Sequence, residues 1–177
     1  MEHVILGLLM MGPSTIYLLR KQFSGNISLF YSNSPGGLQR ALRMLLEKEY
    51  IECREVMEKG RRKKIYTITV AGQQNFMDWM AAPIEGRAVE DIALARVYFL
   101  GLLPDTGQRK AVVDVVLQRI SQDSRTLESW YGELQKKEIP PSYHDVFSYQ
   151  VATLAYAVSA HKHALEWFFS LKDSLEP

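Results

Sequence analysis

Apolar positions along the first 82 residues change period twice, and the changes mark the elements. Val4, Ile5, Leu8 and Leu9 recur at helical spacing over residues 2–11, and Gly12-Pro13-Ser14 stops that helix. Residues 15–23 form a second helix with Ile16, Leu18, Leu19 and Phe23 available to a core and Arg20, Lys21 and Gln22 outside. After a short connection carrying Ile27, Leu29 and Phe30, residues 34–50 are the most one-sided stretch of the chain. Leu38, Ala41, Leu42, Leu45 and Leu46 share one face, leaving Gly36, Gly37, Gln39, Arg40 and Arg43 on the other. Ser34 suits the N-cap and Pro35 the first helical position. Two glycines at a helix start cost roughly 1 kcal/mol each against Ala, and they leave bare backbone that something else can approach. The pattern then changes to strands over 50–57 and 63–69, joined by a charged turn at 58–62, and returns to a helix over 69–82 with Phe76, Trp79 and Met80 on one side.

Pro83 and Gly86 mark the boundary of a second half, giving domains 1–82 and 83–177. Its first helix spans 87–103, densely apolar but interrupted by Arg96. A long helix follows to about residue 137, and Pro140-Pro141-Ser142 precedes a last one to about 175. Val113, Val116, Ile120, Asp123, Leu127, Trp130 and Leu134 step by threes and fours; so do Phe147, Val151, Leu154, Val158, His161, Leu165 and Phe168. Both are coiled-coil seams with one polar member each. A further seam on the last helix, through Tyr149, Thr153, Tyr156, Ala160, His163 and Trp167, gives that helix apolar residues on two faces. Two faces need two partners, so this half reads as a dimerisation domain with the seam from Phe147 to Phe168 at its interface.

Composition narrows the picture. Hydrophobic content of 47% with 23% charged residues is that of a globular chain. The net charge is only +1, but residues 1–80 hold 11 Lys/Arg against 7 Asp/Glu while the remainder is acidic. Arg61, Arg62, Lys63 and Lys64 concentrate the excess on the strand pair, which points to a polyanionic partner for the first half. One cysteine, Cys53, excludes an intrachain disulfide and a multi-cysteine zinc site; it reads as a packing residue in a reducing cytoplasm. No stretch has the shape of a secretory signal or of a membrane span, so a soluble, cytoplasmic protein is expected. GxGxxG, P-loop, HExxH and clustered His/Asp sets are all missing from the sequence, which argues against an enzyme and against a cofactor or metal.

Three helices followed by a strand pair with a basic tip are the ground plan of a winged helix-turn-helix. The fold expected is mainly α with a small β-hairpin wing, followed by a helical, coiled-coil-like dimerisation domain. The first half resembles the PadR family of bacterial transcriptional regulators. The resemblance rests on Val4-Ile5-Leu6-Gly7-Leu8-Leu9, Gly12-Pro13, Tyr17, Ser34-Pro35-Gly36 with Ala41-Leu42, and a wing ending in Arg61 to Lys64, Tyr66, Thr69 and Ala71-Gly72. The helical second half is similar in outline to the virulence-regulator-like branch of that family. Departures occur where Thr15-Ile16 replace the family's His-Gly, and where Gln39-Arg40 replace its frequent Tyr-Pro.

What the resemblance implies is a homodimer on a pseudo-palindromic double-stranded DNA site. Side-chain chemistry agrees: Arg40 or Arg43 suits guanine O6/N7 and Gln39 suits adenine N6/N7. Ser34 with the amides of Gly36 and Gly37 suits a phosphate at a helix N-terminus. Tyr17, Tyr31 and Ser32 are candidates for further phosphate contacts, and Arg61, Arg62, Lys63 and Lys64 for the wing. Relatives sense phenolic or drug-like aromatic molecules, which makes a small aromatic effector one reading of Trp130, Tyr131, Tyr143, Tyr149, Tyr156, Trp167 and Phe168; ordinary core packing is the other. The rival to DNA binding is a winged-helix module used only for protein–protein contacts.

Overall fold

The computed structural model of the chain describes residues 1–29, 31, 35–58 and 61–175. In chain order its elements are α1 (Glu2–Met10), β1 (Ser14–Thr15), α2 (Ile16–Ser24), α3 (Pro35–Glu47), β2 (Ile51–Glu58), β3 (Arg61–Ile68), α4 (Val70–Ala81), α5 (Val89–Tyr98), α6 (Thr106–Gln135) and α7 (His144–Ser174). Short 3-10 turns lie at Asn26–Leu29, Leu100–Leu102 and Pro141–Tyr143. A winged helix followed by helices is therefore the observed fold, with two departures from expectation. The helix expected over 87–103 ends at Tyr98, and its remainder is a single 3-10 turn. A third strand, β1, was invisible to periodicity because two residues have none.

That strand completes a three-stranded antiparallel sheet in the order β1-β3-β2. Ser14 pairs with Tyr66 and Thr15 with Ile65, while Ile51 pairs with Ile68 at the base of the wing. Thr15 also caps α2, its hydroxyl accepting from the Leu18 amide at 3.3 Å. Thr69 plays the same part for α4, accepting from the Gly72 amide at 3.0 Å and donating to Glu49 O at 2.8 Å. A Cβ at Gly72 would run into the Tyr50 carbonyl, so only glycine lets α4 start this close to the wing.

Ile5, Leu6, Leu19, Phe23, Ile27, Leu38, Leu45, Ile51, Phe76 and Met80 are fully buried and form the core of this half. Of the four apolar residues that α2 offers, Leu19 and Phe23 are the buried ones and Leu18 is exposed; Leu46, expected on the inner face of α3, is exposed too. Cys53 is exposed as well, which corrects its reading as a packing residue: burial stops at Ile51, and β2 is exposed from Glu52 through Glu55. At its C-terminus α3 closes with Tyr50 N–H donating to Leu45 O at 2.9 Å and Glu49 N–H to Leu46 O at 3.0 Å. This is a Schellman ending with Glu49 in the left-handed region, φ 57°.

Two compact units result, Met1–Asp105 and Thr106–Pro177. The expected boundary after residue 82 thus coincides with a bend inside the first unit. Packing explains why α5 and the turn after it stay with the winged helix. Phe99 lies against Gly7 of α1, where a Cβ would clash with the ring, and meets Phe76 of α4 edge-on at 5.7 Å.

The second unit is the antiparallel pair α6 and α7, of 30 and 31 residues. Along α6, Val113, Val116 and Ile120 are buried; along α7, Val158 and Phe168 are. Phe147, Val151, Leu154, His161 and Leu165 are partly covered. Of the seam read as a dimer interface, Val158 and Phe168 are thus buried within this unit, whose two helices pack on each other through a short connection. The polar seam members are satisfied on their own helices: Arg119 Nε donates to Asp123 at 3.0 Å, and His161 Nδ1 lies 2.9 Å from Ala157 O. Ion pairs from Lys162 to Glu128 (3.3 Å) and Lys172 to Asp114 (2.6 Å) flank the contact.

Candidate nucleic-acid interface

Helix α3 positions the candidate readers. Burial of Leu38, Ala41, Leu42 and Leu45 fixes its rotation about its own axis. Gln39, Arg40 and Arg43 are in consequence exposed together, at i, i+1 and i+4. Among the described residues nothing lies within 4 Å of a Cβ built on Gly36, so no contact with them requires glycine there. Either side of α3, α2 packs on β1 and β3, and α3 packs on β2, which holds helix and wing in one frame.

The wing presents Arg62, Lys63 and Lys64 as exposed cations. Lys64 makes only a loose pair with Glu55, at 3.9 Å between exposed groups, a contact that solvent screens heavily. Arg61 opens β3, and its register partner is Glu58. On α2, Tyr17 is 72% exposed, and Arg20, Lys21 and Gln22 are exposed beside it in sequence. Ser32 and Ser34 lie outside the described residues.

Tyr31 is placed elsewhere. Its phenol is half-buried, its oxygen accepts a hydrogen bond from the Met1 amine, and burial, then the nearby Asp91 carboxylate, push its pKa up. It lines a half-open cleft with His3 and Trp79. The sequence reading also passed over Arg96, treating it as an interruption of an apolar run; the side chain is 1% exposed. The signal was present, since a lone cation in the middle of an apolar helical stretch has to be buried or break the pattern.

Among the described residues no group of three His, Cys, Asp or Glu is arranged to hold a metal ion, and no helix is long and apolar enough to cross a membrane. The geometry is that of a winged helix-turn-helix, with an amphipathic third helix that keeps its amide and guanidinium face open. Residues 5–78 match the transcriptional regulator PadR-like family. Over 174 residues the chain is 25% identical to the negative transcriptional regulator PadR of Bacillus subtilis (strain 168), covering 97% of this chain and 94% of that protein. Among solved structures it is similar to Bacillus subtilis PadR in complex with operator DNA, at 24% identity and a TM-score of 0.45, covering 99% of this chain and 98% of that one. It is also similar to the same protein in complex with p-coumaric acid, at 22% identity and a TM-score of 0.42, covering 99% and 95%.

Proposed function

We propose that the chain is a sequence-specific DNA-binding transcriptional regulator that acts as a homodimer on a pseudo-palindromic operator and answers to a small effector. The observation that carries this reading is the open face of α3 in a segment of PadR-like sequence. Gln39, Arg40 and Arg43 have the donors and acceptors that read base edges in a major groove. The bare start of α3 at Gly36 and Gly37 offers main-chain N–H groups to a phosphate. Arg62, Lys63 and Lys64, with Arg61, lie along the backbone or in the minor groove, and exposed Tyr17 and Lys21 add phosphate contacts. Tyr31, engaged in the cleft, drops out of the set.

Dimerisation is supported by what α6 leaves uncovered. Tyr149 and Tyr156 are 76% and 77% exposed, and Val146, Trp167 and Phe169 are exposed on the same helix. At 1.5 Å per residue such a helix is roughly 45 Å long, and a contiguous apolar surface of that extent on a soluble protein marks an interface. The second copy therefore takes the face through Tyr149, Tyr156 and Trp167, while the Phe147-to-Phe168 seam stays with α6. Half-sites one helical turn apart need recognition helices about 34–36 Å apart in the dimer.

Selection of bound sequences from random duplexes, followed by titration of the selected site at several salt concentrations, tests the proposal. A specific palindromic site is expected. Arg43→Ala is expected to lose preference for it by roughly tenfold or more. Arg62→Ala should weaken binding to all duplexes alike and lower the salt slope by about one. No salt-dependent affinity for any duplex would reject the reading.

A further inference from the structure

Three residues, Lys48, Glu49 and Tyr50, join the end of α3 to the start of β2, so the angle between helix and wing is set within that link. Glu49 turns it through the left-handed region, and the amides of Glu49 and Tyr50 close the helix onto Leu46 O and Leu45 O. The carbonyls of the same two residues point to a single partner, Thr69. Its N–H donates to Tyr50 O at 3.0 Å, which carries the β2–β3 ladder one step past Ile51 and Ile68. Its hydroxyl donates to Glu49 O at 2.8 Å. The same oxygen accepts from the Gly72 amide at 3.0 Å and so caps α4.

One hydroxyl therefore ties the exit of α3, the base of the wing and the first turn of α4. A hydroxyl suits the place because it is donor and acceptor in one atom. Thr69 is extended, φ −88° and ψ 170°, as an N-cap residue is, and its branched Cβ leaves the side chain few rotamers. Close packing limits the play of the joint, since a Cβ on Gly72 would run into the Tyr50 carbonyl. Lys48 also ties the link to Glu2 of α1 at 2.8 Å, but between partly exposed groups, where solvent weakens the pair.

We propose that Thr69 is a positioning residue for DNA recognition: its hydroxyl locks α3 and the wing at the angle at which both meet one duplex, while touching no nucleotide itself. This rests on the reading of the chain as a DNA-binding regulator. Hydrogen bonds from α3 to base edges weaken steeply when they are misaligned, whereas phosphate contacts from flexible cations carry no sequence information. A loosened joint therefore costs sequence preference before it costs general affinity.

Full-length Thr69→Val, Thr69→Ser and Thr69→Asp proteins are titrated with the selected operator and with a random duplex at one salt concentration. Valine keeps the shape and loses both hydroxyl bonds, and serine keeps both. Aspartate keeps the cap on α4 but, ionised, has no proton to give Glu49 O. The ratio of operator to random-duplex affinity is expected to fall by about fivefold or more in the valine and aspartate proteins, the worth of one hydrogen bond, and to hold in the serine protein. Taking the ratio cancels the added charge of aspartate, which weakens both duplexes. Without DNA, amide exchange at Glu49 and Tyr50 should quicken in the valine and aspartate proteins and not in the serine one. An aspartate protein with the full preference would overturn the proposal, because the cap alone would then suffice. So would a folded valine protein that keeps it, or exchange at Glu49 and Tyr50 that no variant changes. The aspartate protein, its α4 still capped, decides the matter if the valine protein does not fold. Titration of the unaltered chain decides the regulator reading separately, and the exchange rates test the joint whichever way that falls.

Discussion

Gly36 finds no reason to be glycine among the described residues: a methyl group there meets none of them within 4 Å. Ala at this helix start should therefore stabilise the protein by about 1 kcal/mol in urea melts. If main-chain N–H groups at the start of α3 approach a phosphate, the same Gly36→Ala protein should bind its operator more weakly. A variant that gained stability and kept full affinity would take that helix start out of the interface. His3 makes a different argument at the same scale. Its folded pKa of about 4 lies below the ordinary 6.5, through burial first and the Met1 amine second, with Lys48 and Arg96 in the same direction and Glu2 opposing. Below pH 6.5 the unfolded chain takes up a proton that the folded one refuses until about pH 4, so stability present at neutral pH is lost as pH falls through that window. Between pH 7 and 5 the wild type should lose about 1–2 kcal/mol more than His3→Gln, and equal losses in denaturant titrations would remove His3 as the cause. The histidine was legible in the sequence only as a letter near the start; its environment is made by Trp79, 76 positions away.

Helix α3 and its exit show how much of an element is local. Its apolar stripe, its open polar face and its approximate ends follow from spacing alone, because an α-helix turns side chains through a fixed angle per residue. Its closing turn does not. Glu49 carries a positive φ, 57°, which costs a residue with a Cβ about 1–2 kcal/mol. Tyr50 N–H to Leu45 O and Thr69 Oγ1 to Glu49 O hold it there through main-chain acceptors that any residue supplies. Glu49→Gly should accordingly raise stability by up to about 1 kcal/mol, less the entropy glycine adds to the unfolded chain, with operator affinity unchanged. Chemical denaturation of the two proteins measures it, and a loss of stability would show that the Glu49 side chain makes a contact worth more than the strain. The wing was legible as an element too, though β1 was not. Ser14 and Thr15 become a strand because Tyr66 and Ile65 offer them a ladder.

At the scale of the whole molecule the question is which apolar face meets which partner. Heptad spacing marked two seams on α7 without saying which is used within the chain. The structure places α6 against the one through Val158 and Phe168, and leaves Tyr149 and Tyr156 exposed. If the proposed dimer uses this face, Tyr149→Glu with Tyr156→Glu should yield a folded monomer in sedimentation experiments at micromolar concentration, against a dimer expected of the wild type, with operator affinity falling as the second half-site is lost. A variant pair that still sediments as a dimer would move the interface to another face. The division of the chain was a matter of packing as well: Pro83 and Gly86 announced a break in the backbone, while compactness divides it at Asp105, because Phe99 inserts between α1 and α4 chemistry at Gly7 and Phe76.

Periodicity, caps and charge placement determined that this chain would be a winged helix followed by long helices, with cations on the wing and an amide–guanidinium face on its third helix. These are properties of short segments, and local geometry suffices to read them. Only the tertiary structure decided that Arg96 lies buried beside Trp79 and His3 with two nitrogens unpaired among the described residues, that Tyr31 belongs to the same cleft, and that one of two equivalent seams is spent inside the chain. Each depends on residues far apart in sequence coming together, and a pattern of spacings contains no term for that.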